Sequence, residues 1–499
     1  KGQAYIIFGR QNSFHTNLDI STLNGENGFS VTGTYQLAES VSTAGDINTD
    51  GIEDVVISET FANAGLTSNG RAFVVFGRNT LSEGDFQENI NVPVDLNGNN
   101  GFEIRGAQAY DVASWSVSNA GDLNGDGIDD LIIGAPHDFF SPTEVPGRAY
   151  VLFGRDTGIV GDFPKVFDLA TLNGQNGFTI EGVFDGEGVG KKVNDIRDIN
   201  GDGVDDVVIG TSFQITYVVF GQNTISDGDF PATLHLSSLN GANGFVITGD
   251  RAESIGSAGD INDDGIDDLI LGQSSNSSIE LGRAYIIYGK DVTNSGDFAA
   301  SFDLNGLDGT NGFKIIGVSP VSIDGTGLSV AGAGDLNNDS IDDISIKNGP
   351  FGQDETYVVY GRNTANTGAF PSRFYLTNLD GDNGFVITGT GDTAFGPGGP
   401  RVAKAGDVNN DGIDDLLIGS GEETAYVVFG RGGETTVLVQ CPGDVNGDNI
   451  TDITVVRSNG DIWIKGLDGR MVTQFTLSGI SSVVDVEIMP NINANDSPE

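Results

Sequence analysis

Residues 121–130 read Gly-Asp-Leu-Asn-Gly-Asp-Gly-Ile-Asp-Asp. Oxygen-bearing side chains stand at alternate positions, Asp122, Asn124 and Asp126, and Gly127 then permits a sharp turn before Ile128 and Asp130. Alternation in a tight loop directs several oxygens towards one centre, and Ca²⁺ prefers roughly six to eight oxygen ligands in a flexible geometry. The stretch therefore predicts a calcium loop whose ninth residue closes it.

The same pattern occurs seven times in the chain of 499 residues. We number the loop positions from the first aspartate and predict side-chain ligands at positions 1, 3, 5 and 9 and a carbonyl ligand at position 7. The predicted ligands, loop by loop, are Asp46, Asn48, Asp50, Ile52 and Asp54; Asp122, Asn124, Asp126, Ile128 and Asp130; Asp198, Asn200, Asp202, Val204 and Asp206; Asp260, Asn262, Asp264, Ile266 and Asp268; Asp335, Asn337, Asp339, Ile341 and Asp343; Asp407, Asn409, Asp411, Ile413 and Asp415; and Asp444, Asn446, Asp448, Ile450 and Asp452.

Up to seven Ca²⁺ ions are therefore expected. The loop differs from an EF-hand, because no Glu stands at the twelfth position and no helices flank it, and Mg²⁺ is less suited because it demands stricter octahedral geometry. The alternative is a turn rich in aspartate and asparagine that holds no metal. The fifth loop has Ser340 in place of the glycine and the seventh has Asn449. Serine tolerates a left-handed backbone poorly, so the fifth site is expected to be the most distorted or the weakest.

Two further markers recur in the same order as the loops. One is Asn-Gly-Phe, ending at Phe29, Phe102, Phe178, Phe245, Phe313 and Phe385; the other is an aromatic-glycine pair that ends an apolar run, as in Phe153-Gly154. Short apolar runs such as 130–134, 148–153 and 178–181 are typical of strands. Four strands in each unit of roughly 70 residues predict an all-β, seven-bladed β-propeller of four-stranded antiparallel blades.

The repeat also divides the chain. Residues 1–33 are expected to form the outer half of one blade, and residues 34–433 six blades with calcium loops. Residues 434–499 carry a divergent unit, which is expected either to complete the ring by pairing with the N-terminal segment or to start the next module. Because the chain opens and ends within a repeat, we expect it to be part of a longer, multi-domain protein whose export signal lies elsewhere.

Composition excludes several functions. The net charge of −47, from 71 Asp+Glu and 24 Lys+Arg, argues against nucleic acid and direct membrane insertion. Cys441 is the only cysteine, so the chain forms no internal disulfide, and we interpret it as a small buried side chain. His15, His137 and His235 stand in different repeats without zinc-ligand spacing. Every close carboxylate pair lies in a loop that calcium explains, so no catalytic residue is predicted and the chain is not expected to be an enzyme.

Residues 113–136 and 147–155 resemble the FG-GAP repeat of integrin α-subunit propellers, with Ala-Gly-Asp-Leu-Asn-Gly-Asp-Gly-Ile-Asp-Asp-Leu-Ile-Ile-Gly-Ala-Pro followed by Tyr-Val-Leu-Phe-Gly. Other units keep the loop and lose Gly-Ala-Pro, and the spacers with Gly-Asp-Phe-Pro resemble those of bacterial, especially cyanobacterial, secreted members. The resemblance covers nearly the whole chain. It implies a calcium-binding propeller, secreted or on a cell surface, with a role in cell adhesion.

The leading hypothesis is therefore an adhesion module that binds an extracellular protein or glycan. Candidate contact aromatics are Tyr110, Trp115, Phe139 and Phe140, for which packing within or at the edge of a blade is the alternative. Two other functions stay open. The chain could be a calcium-stiffened structural spacer, or a non-catalytic accessory domain of a hydrolase, since FG-GAP propellers accompany a phospholipase domain in some proteins.

Overall fold

The computed structural model describes residues 2–9, 18–34, 36–137, 145–275, 280–318, 325–348, 355–388, 401–419 and 425–431, together with the backbone of four later strands within 437–476. The chain divides into two compact units. The first comprises Lys1–Leu336 and Ser340–Gly430, and the second Asn337–Asp339 and Arg431–Glu499.

The first unit holds seven sheets, which are the blades of a β-propeller. Their strands, numbered along the chain, are β1 (Gln3–Ile7), β2 (Gly28–Thr32) and β6 (Asn89–Asn91) in blade 1; β3 (Val41–Gly45), β4 (Asp54–Glu59), β5 (Arg71–Val75), β7 (Gly101–Arg105) and β11 (Val166–Asp168) in blade 2; β8 (Ser116–Gly121), β9 (Asp130–Ala135), β10 (Arg148–Leu152), β12 (Gly177–Glu181) and β16 (Thr233–His235) in blade 3; β13 (Lys192–Arg197), β14 (Asp206–Gly210), β15 (Ile215–Val219), β17 (Gly244–Thr248) and β21 (Ser301–Asp303) in blade 4; β18 (Ser254–Gly259), β19 (Asp268–Gln273), β20 (Arg283–Ile287), β22 (Gly312–Ile316) and β26 (Arg373–Tyr375) in blade 5; β23 (Ser329–Gly334), β24 (Asp343–Lys347), β25 (Glu355–Val359) and β27 (Gly384–Thr388) in blade 6; and β28 (Arg401–Gly406), β29 (Asp415–Gly419) and β30 (Ala425–Val428) in blade 7.

Among the described residues, helical structure is limited to single turns. The α-helical turns are α1 (Thr80–Glu83), α2 (Thr157–Val160), α3 (Thr224–Asp227), α4 (Val292–Ser295) and α5 (Thr364–Thr367), and the 3₁₀ turns are Ile20–Thr22, Leu169–Thr171, Leu236–Ser238, Leu304–Gly306 and Leu376–Asn378. Both kinds of turn lie in the spacer between the third and fourth strands of a blade. The sequence prediction of a seven-bladed, all-β propeller with little helix is confirmed.

The blades differ from the prediction in one respect. Four consecutive strands pair antiparallel as expected, but in blades 2 to 5 a short fifth strand from the spacer of the following blade joins the outer edge in parallel. Phe167 of β11, for example, is in register with Ile104 of β7. Three residues with one or two apolar side chains carry too little pattern to be recognised as a strand, yet in blades 2 to 5 this strand joins each blade to the next one.

Blade 1 contains only the third and fourth strand types, β1 and β2, with β6 as its fifth. In later blades the glycine of the aromatic-glycine pair packs on the acidic loop of the preceding blade, so that a Cβ at Gly154 would lie 3.0 Å from the Ile47 carbonyl oxygen. A Cβ at Gly9 would lie 3.2 Å from the Val408 carbonyl oxygen in the same way. Blade 1 therefore follows blade 7, which closes the ring of the first unit.

The second unit contains a four-stranded antiparallel sheet. Its strands are β31 (Val437–Gly443), β32 (Asp452–Val456), β33 (Asp461–Lys465) and β34 (Met471–Thr476). These strands pair with one another in chain order. The placement of residues 434–499, as the completion of the ring or as a separate module, stays a prediction.

Stacked aromatic side chains explain two of the recurring motifs. Phe178 of Asn-Gly-Phe stacks on Phe230 of the next Gly-Asp-Phe-Pro, with ring centroids 4.2 Å apart, and Phe153 of the aromatic-glycine pair packs against both rings. The same arrangement recurs around Phe102, Phe245 and Phe313. Stacked and edge-on aromatic pairs add to the burial of their area. Each triplet therefore fastens the spacer of one blade to the outer strand of the previous blade.

A carboxylate at position 8 of the acidic loop joins neighbouring blades at their inner strands in loops two, three, five and six. The Asp122 backbone N–H donates to Oδ2 of Asp205, at position 8 of the next loop, at 2.8 Å. Equivalent bonds join Asp46 to Asp129, Asp260 to Asp342 and Asp335 to Asp414. At the corresponding place in the third loop the preceding residue is Arg197 rather than glycine, and its guanidinium lies 3.9 Å from the Asp267 carboxylate.

The contact with Asp205 requires a glycine at position 121. Its φ is +61°, and an added Cβ would clash with the carboxyl group of Asp205. Gly161 has φ +87° with nothing within 4 Å of an added Cβ. Both positions carry the cost of a left-handed backbone, which is about 1–3 kcal/mol for other residues, but only Gly121 faces the neighbouring blade.

We expect Gly121→Ala to destabilise the protein by about 1–3 kcal/mol more than Gly161→Ala, because overpacking at the blade interface adds to the shared backbone strain. The urea midpoints of both variants, measured in the same calcium-containing buffer, check this. Equal losses in the two variants would show that the Asp205 contact does not constrain Gly121.

Candidate metal centres

Each acidic loop is shaped by its own carboxylates. In the second loop, Asp122 Oδ1 accepts a hydrogen bond from the Asp126 N–H at 2.9 Å, and its Oδ2 accepts one from the Gly127 N–H at 2.8 Å. Asp126 Oδ1 accepts the Ile128 N–H at 3.0 Å. These bonds wrap the backbone around the position 1 carboxylate, which is the turn that alternating acidic residues were expected to form.

The position 9 carboxylate is the buried centre of the loop. Asp130 is fully buried; its Oδ2 accepts the Leu123 N–H at 3.1 Å and its Oδ1 the Gly154 N–H at 2.9 Å. Asp130 begins the second strand of the blade, Leu123 follows the first, and Gly154 follows the third. One carboxylate therefore joins three strands, which explains the glycine of the aromatic-glycine pair.

This geometry repeats around the ring. The position 9 carboxylates accept the N–H of the corresponding glycine at 2.8–2.9 Å in six loops. The wrapping of position 1 by the N–H groups of positions 5 and 6 recurs in loops one, three, four and six. The structure thus brings the predicted residues together within each of these loops. Residues 444–451 of the seventh loop lie outside the described residues.

The fifth loop keeps its turn despite the serine. Ser340 adopts φ +70°, close to the glycines at this position, and its N–H donates to Asp335 Oδ2 at 2.7 Å. The distortion expected from a serine at this place is therefore not seen in the backbone turn, although a non-glycine residue is strained there. That this site binds metal more weakly than the others stays a prediction. Asn337–Asp339 belong to the second unit.

Three asparagines at position 3, Asn124, Asn200 and Asn337, present a buried oxygen without a partner among the described residues. Asn124 and Asn200, at position 3 of loops two and three, are almost fully buried, and the Oδ1 atom of each accepts no hydrogen bond from the described residues. Their Nδ2 groups lie within hydrogen-bonding distance of the position 9 carboxylates. A buried polar atom without a partner costs about 1–3 kcal/mol. An amide oxygen held beside carboxylates is the kind of ligand that a hard cation takes.

The charged form of the buried carboxylates is also destabilised by its surroundings. The pKa of Asp54 is raised to about 8, first by burial and also by the carboxylates of Asp50 and Asp46, against hydrogen bonds from the backbone that lower it. Burial also raises the pKa of Asp130, Asp206 and Asp268 well above the usual range. In loops one to four and six, none of the described lysines or arginines forms an ion pair with the carboxylates at positions 1, 5 and 9. A bound cation would offset this unpaired negative charge.

No three acidic, histidine or cysteine side chains within the described part of the chain converge in the arrangement that a metal ion requires. The chemistry of the donor set nevertheless fits a hard cation, because the unpartnered amide oxygens of Asn124 and Asn200 belong to the same loops as buried carboxylates that have no paired cation. In the second loop, Asp122, Asn124, Asp126 and Asp130 would hold the ion together with the Ile128 carbonyl. Bound there, a cation would supply positive charge to the loop.

The neighbouring blade also contacts loops one, two and four, which sequence patterns did not indicate. The Thr224 N–H and Oγ1 donate to the Asn124 carbonyl oxygen at 2.8 and 3.0 Å, and Thr157 and Thr364 make the same contact to loops one and four. These threonines begin the helical turns of the following spacers. The recurring Thr three or four residues after the aromatic-glycine pair was the only available signal.

The other residues singled out in the sequence do not form a site together. Trp115 packs edge-on against Phe61, with centroids 5.8 Å apart, and is half-buried, as is Tyr110. Phe139, Phe140 and His15 lie outside the described residues. His235 Nδ1 lies 3.2 Å from Glu181 Oε2 at an exposed position of β16. Cys441 lies in β31, and nothing about its side chain is described.

Comparison with known proteins agrees with this architecture. Residues 113–152 match the FG-GAP repeat family. The chain is 26% identical over 320 residues to phosphatidylinositol-glycan-specific phospholipase D of Dictyostelium discoideum, a match that covers 58% of this chain and 30% of that protein. It is 25% identical over 418 residues to the human phospholipase of the same name, covering 79% of this chain and 44% of that protein.

The chain is also 27% identical over 171 residues to integrin alpha-4 of Xenopus laevis, covering 34% of this chain and 14% of that protein. It therefore spans less than half the length of each of these relatives. No helix among the described residues has the length and apolar character needed to cross a membrane. Residues 113–152 match the FG-GAP repeat itself, and with its recurring acidic loops, aromatic-glycine pairs and seven blades the chain is similar to the β-propellers of integrin α-subunits.

Proposed function

We propose that this chain is a calcium-binding, extracellular β-propeller that acts as a ligand-binding module in adhesion. The observation that carries the calcium part is the group of buried, uncompensated carboxylates beside the unpartnered oxygens of Asn124 and Asn200. The predicted ligands are all oxygen atoms, which disfavours metals that prefer nitrogen or sulfur. The loop does not impose a strict octahedral geometry, which favours Ca²⁺ over Mg²⁺. The role of the ion is structural, since it rigidifies the turn between the first two strands of each blade.

The similarity to integrin α-subunits supports placement outside the cell and a role in adhesion. The similarity to phosphatidylinositol-glycan-specific phospholipase D over most of this chain supports a second candidate, a non-catalytic accessory domain of a hydrolase. In both roles the propeller itself performs no chemistry. The carboxylates that lie close together are committed to the loop turns, and we assign no residue of the chain a part in catalysis.

Removal of calcium should lower the thermal midpoint of unfolding strongly. A ligand that binds only the folded state stabilises it by about 2.7 kcal/mol per site when its free concentration is about 100 times the dissociation constant. Scanning calorimetry in CaCl₂ and in EDTA measures the difference. The variant Asp126→Asn should lose part of the calcium-dependent shift, whereas Asp162→Asn, an exposed aspartate outside the loops, should keep all of it. An unchanged midpoint in EDTA would contradict the proposal.

The metal-free protein should lose stability as the pH rises. The pKa of Asp54 is raised from 3.8 to about 8 on folding, so the unfolded chain releases this proton first. Its contribution to stability is full below about pH 4 and is lost as the pH rises towards 8. Urea midpoints between pH 4 and 8 in EDTA check this.

Asp54→Asn should flatten that slope in EDTA, because it removes the titrating group and keeps its shape. Excess calcium should remove most of the slope as well, since the ion binds the deprotonated carboxylate. A urea midpoint that rises between pH 4 and 8 in EDTA would contradict the proposal that the buried carboxylates cause the protein to need calcium for stability.

The adhesion role is tested by applying the calcium-loaded chain to arrays of glycans and extracellular matrix proteins. Calcium-dependent binding above background, lost in EDTA and restored by CaCl₂, is the expected result. Binding to nothing on either array, by protein whose thermal midpoint shows that it is folded and calcium-loaded, would favour the structural spacer.

A further inference from the structure

A cavity of about 700 Å³ opens between blades 4 and 5. Its walls come from the connection between β14 and β15, the segment that enters β18, and the end of β19. Because strands alternate in direction, these segments lie at the strand ends opposite to the acidic loops. The cavity is therefore separate from the candidate metal centres.

Two exposed aromatic rings form one wall of this cavity. Phe184 and Phe213 are 41% and 49% exposed, and their ring centroids lie 5.7 Å apart at an angle of 52°. Large apolar side chains with this exposure, placed together at the mouth of a cavity, offer a flat surface to a ligand. Phe61 stands in the equivalent connection of blade 2 and is similarly exposed, but it packs on Trp115 instead of lining a cavity.

Cations gather on this side of the molecule. Arg251 lines the cavity and lies 3.7 Å from Glu253, whose carboxylate also accepts a hydrogen bond from the Ser274 hydroxyl. Burial and the charge of Arg251 lower the pKa of Lys191, and burial, Arg401 and Lys191 lower the pKa of Lys192 to about 8. Among the described residues, no carboxylate lies within ion-pair distance of either lysine. Of these cations, Arg251 lines the cavity itself, in a chain with 71 acidic and only 24 basic residues.

The rest of the lining suits a ligand rich in hydroxyl groups. Ser212, Gln214, Thr248, Gln273 and Ser274 line the cavity with neutral groups that both donate and accept hydrogen bonds. Peptides are often bound along the free edge of a sheet, whereas these walls are built from connections and strand ends. The combination of hydroxyl and amide groups, an aromatic wall and a cation favours a saccharide that carries an acidic group.

The walls are held in place by buried hydrogen bonds. Glu187 Oε1 accepts the Tyr217 hydroxyl, and its Oε2 accepts the Val183 N–H at 2.7 Å, which fixes the segment that carries Phe184. Asp250 Oδ2 accepts the Tyr285 hydroxyl at 2.6 Å beside Arg251. A site whose walls are ordered before binding loses less entropy when the ligand arrives.

We propose that this cavity binds an acidic saccharide. Its carboxylate or sulfate would pair with Arg251, its hydroxyls would bond to Ser212 and Thr248, and the apolar face of a sugar ring would pack on Phe184 and Phe213. This inference rests on the proposed ligand-binding function and names the chemical class of the ligand. The cavity offers a cation to such a ligand through Arg251, which lies 3.7 Å from Glu253 in the same lining, although the chain as a whole is strongly acidic.

Isothermal titration of the full, calcium-loaded chain tests the proposal with four probes: an oligogalacturonate, a sulfated oligosaccharide derived from heparin, a neutral dextran oligosaccharide and hexaglutamate. Binding of at least one acidic saccharide and no binding of the neutral one is the expected result. The uronate and the sulfate distinguish the two acidic groups. Binding of hexaglutamate alone would overturn the proposal of a saccharide ligand and indicate an acidic peptide instead.

Variants then locate the site. Arg251→Gln should weaken binding by about tenfold or more, as loss of a charge-assisted hydrogen bond costs roughly 1.5–3 kcal/mol, and Phe213→Ala should weaken it as well. Lys165→Gln, an exposed lysine outside the cavity, and Phe61→Ala are the matched controls and should bind as the parent does. Thermal midpoints in calcium confirm that each variant is folded.

Saccharide binding that is unchanged in Arg251→Gln and Phe213→Ala would place the ligand elsewhere and overturn this inference while leaving the proposed adhesion function intact. Absence of binding to all four probes would also overturn it. Failure of the adhesion function itself would be seen separately, as absence of calcium-dependent binding on the glycan and matrix arrays.

Discussion

The structure depends on one buried carboxylate in each repeat. Asp130 and its equivalents lie out of solvent and accept backbone N–H groups that follow the first and third strands, at the point where the second strand begins. Several hydrogen bonds stabilise the charged form, but burial and the neighbouring acidic groups oppose it. The repeat thus joins its strands through a group that requires a positive charge nearby. This need for a positive charge explains why the acidic composition, the recurring shape of the loops and the proposed calcium ions occur together.

The carboxylate at position 8 extends this local constraint to the ring. Asp205 accepts a hydrogen bond from the first residue of the loop before its own, and Thr224 bonds to the carbonyl of that same loop. Loops one, two, four and five are therefore held partly by residues of the following blade. A cation that orders one loop would also order the contacts made to it by the next blade. Stability in this propeller is shared between blades, in addition to the apolar side chains packed between them.

Much of this architecture could be predicted from the sequence. Alternating oxygens, a glycine and an apolar residue specify a loop locally, so positions 1, 5 and 9 could be assigned without tertiary information. The aromatic-glycine pair marked the third strand, but its reason, the Gly154 N–H bonded to Asp130, joins residues 24 apart in sequence. Asp129 and Asp130 are identical, adjacent side chains with different contacts. Asp129 accepts a hydrogen bond from the preceding blade, whereas Asp130 is buried and accepts one from Gly154 of its own blade. Nothing in their identity distinguishes them.

The cavity between blades 4 and 5 could not be predicted for a similar reason. Phe184, Phe213 and Arg251 belong to three connections of different length, and none of them stands in a recurring motif. Repetition reveals what every blade shares, while a site for one ligand depends on what a single pair of blades does differently. The acidic loops recur from blade to blade, whereas the connections at the opposite ends of the strands differ between blades.

The central claim is that the acidic loops hold calcium in the folded protein. Native mass spectrometry of the full chain, after gel filtration in buffer with trace calcium, counts the retained ions directly. The account predicts several calcium ions for each chain, up to one for each acidic loop, and one fewer in Asp130→Asn. A folded chain that retains no calcium, or a count that does not change in Asp130→Asn, would contradict it.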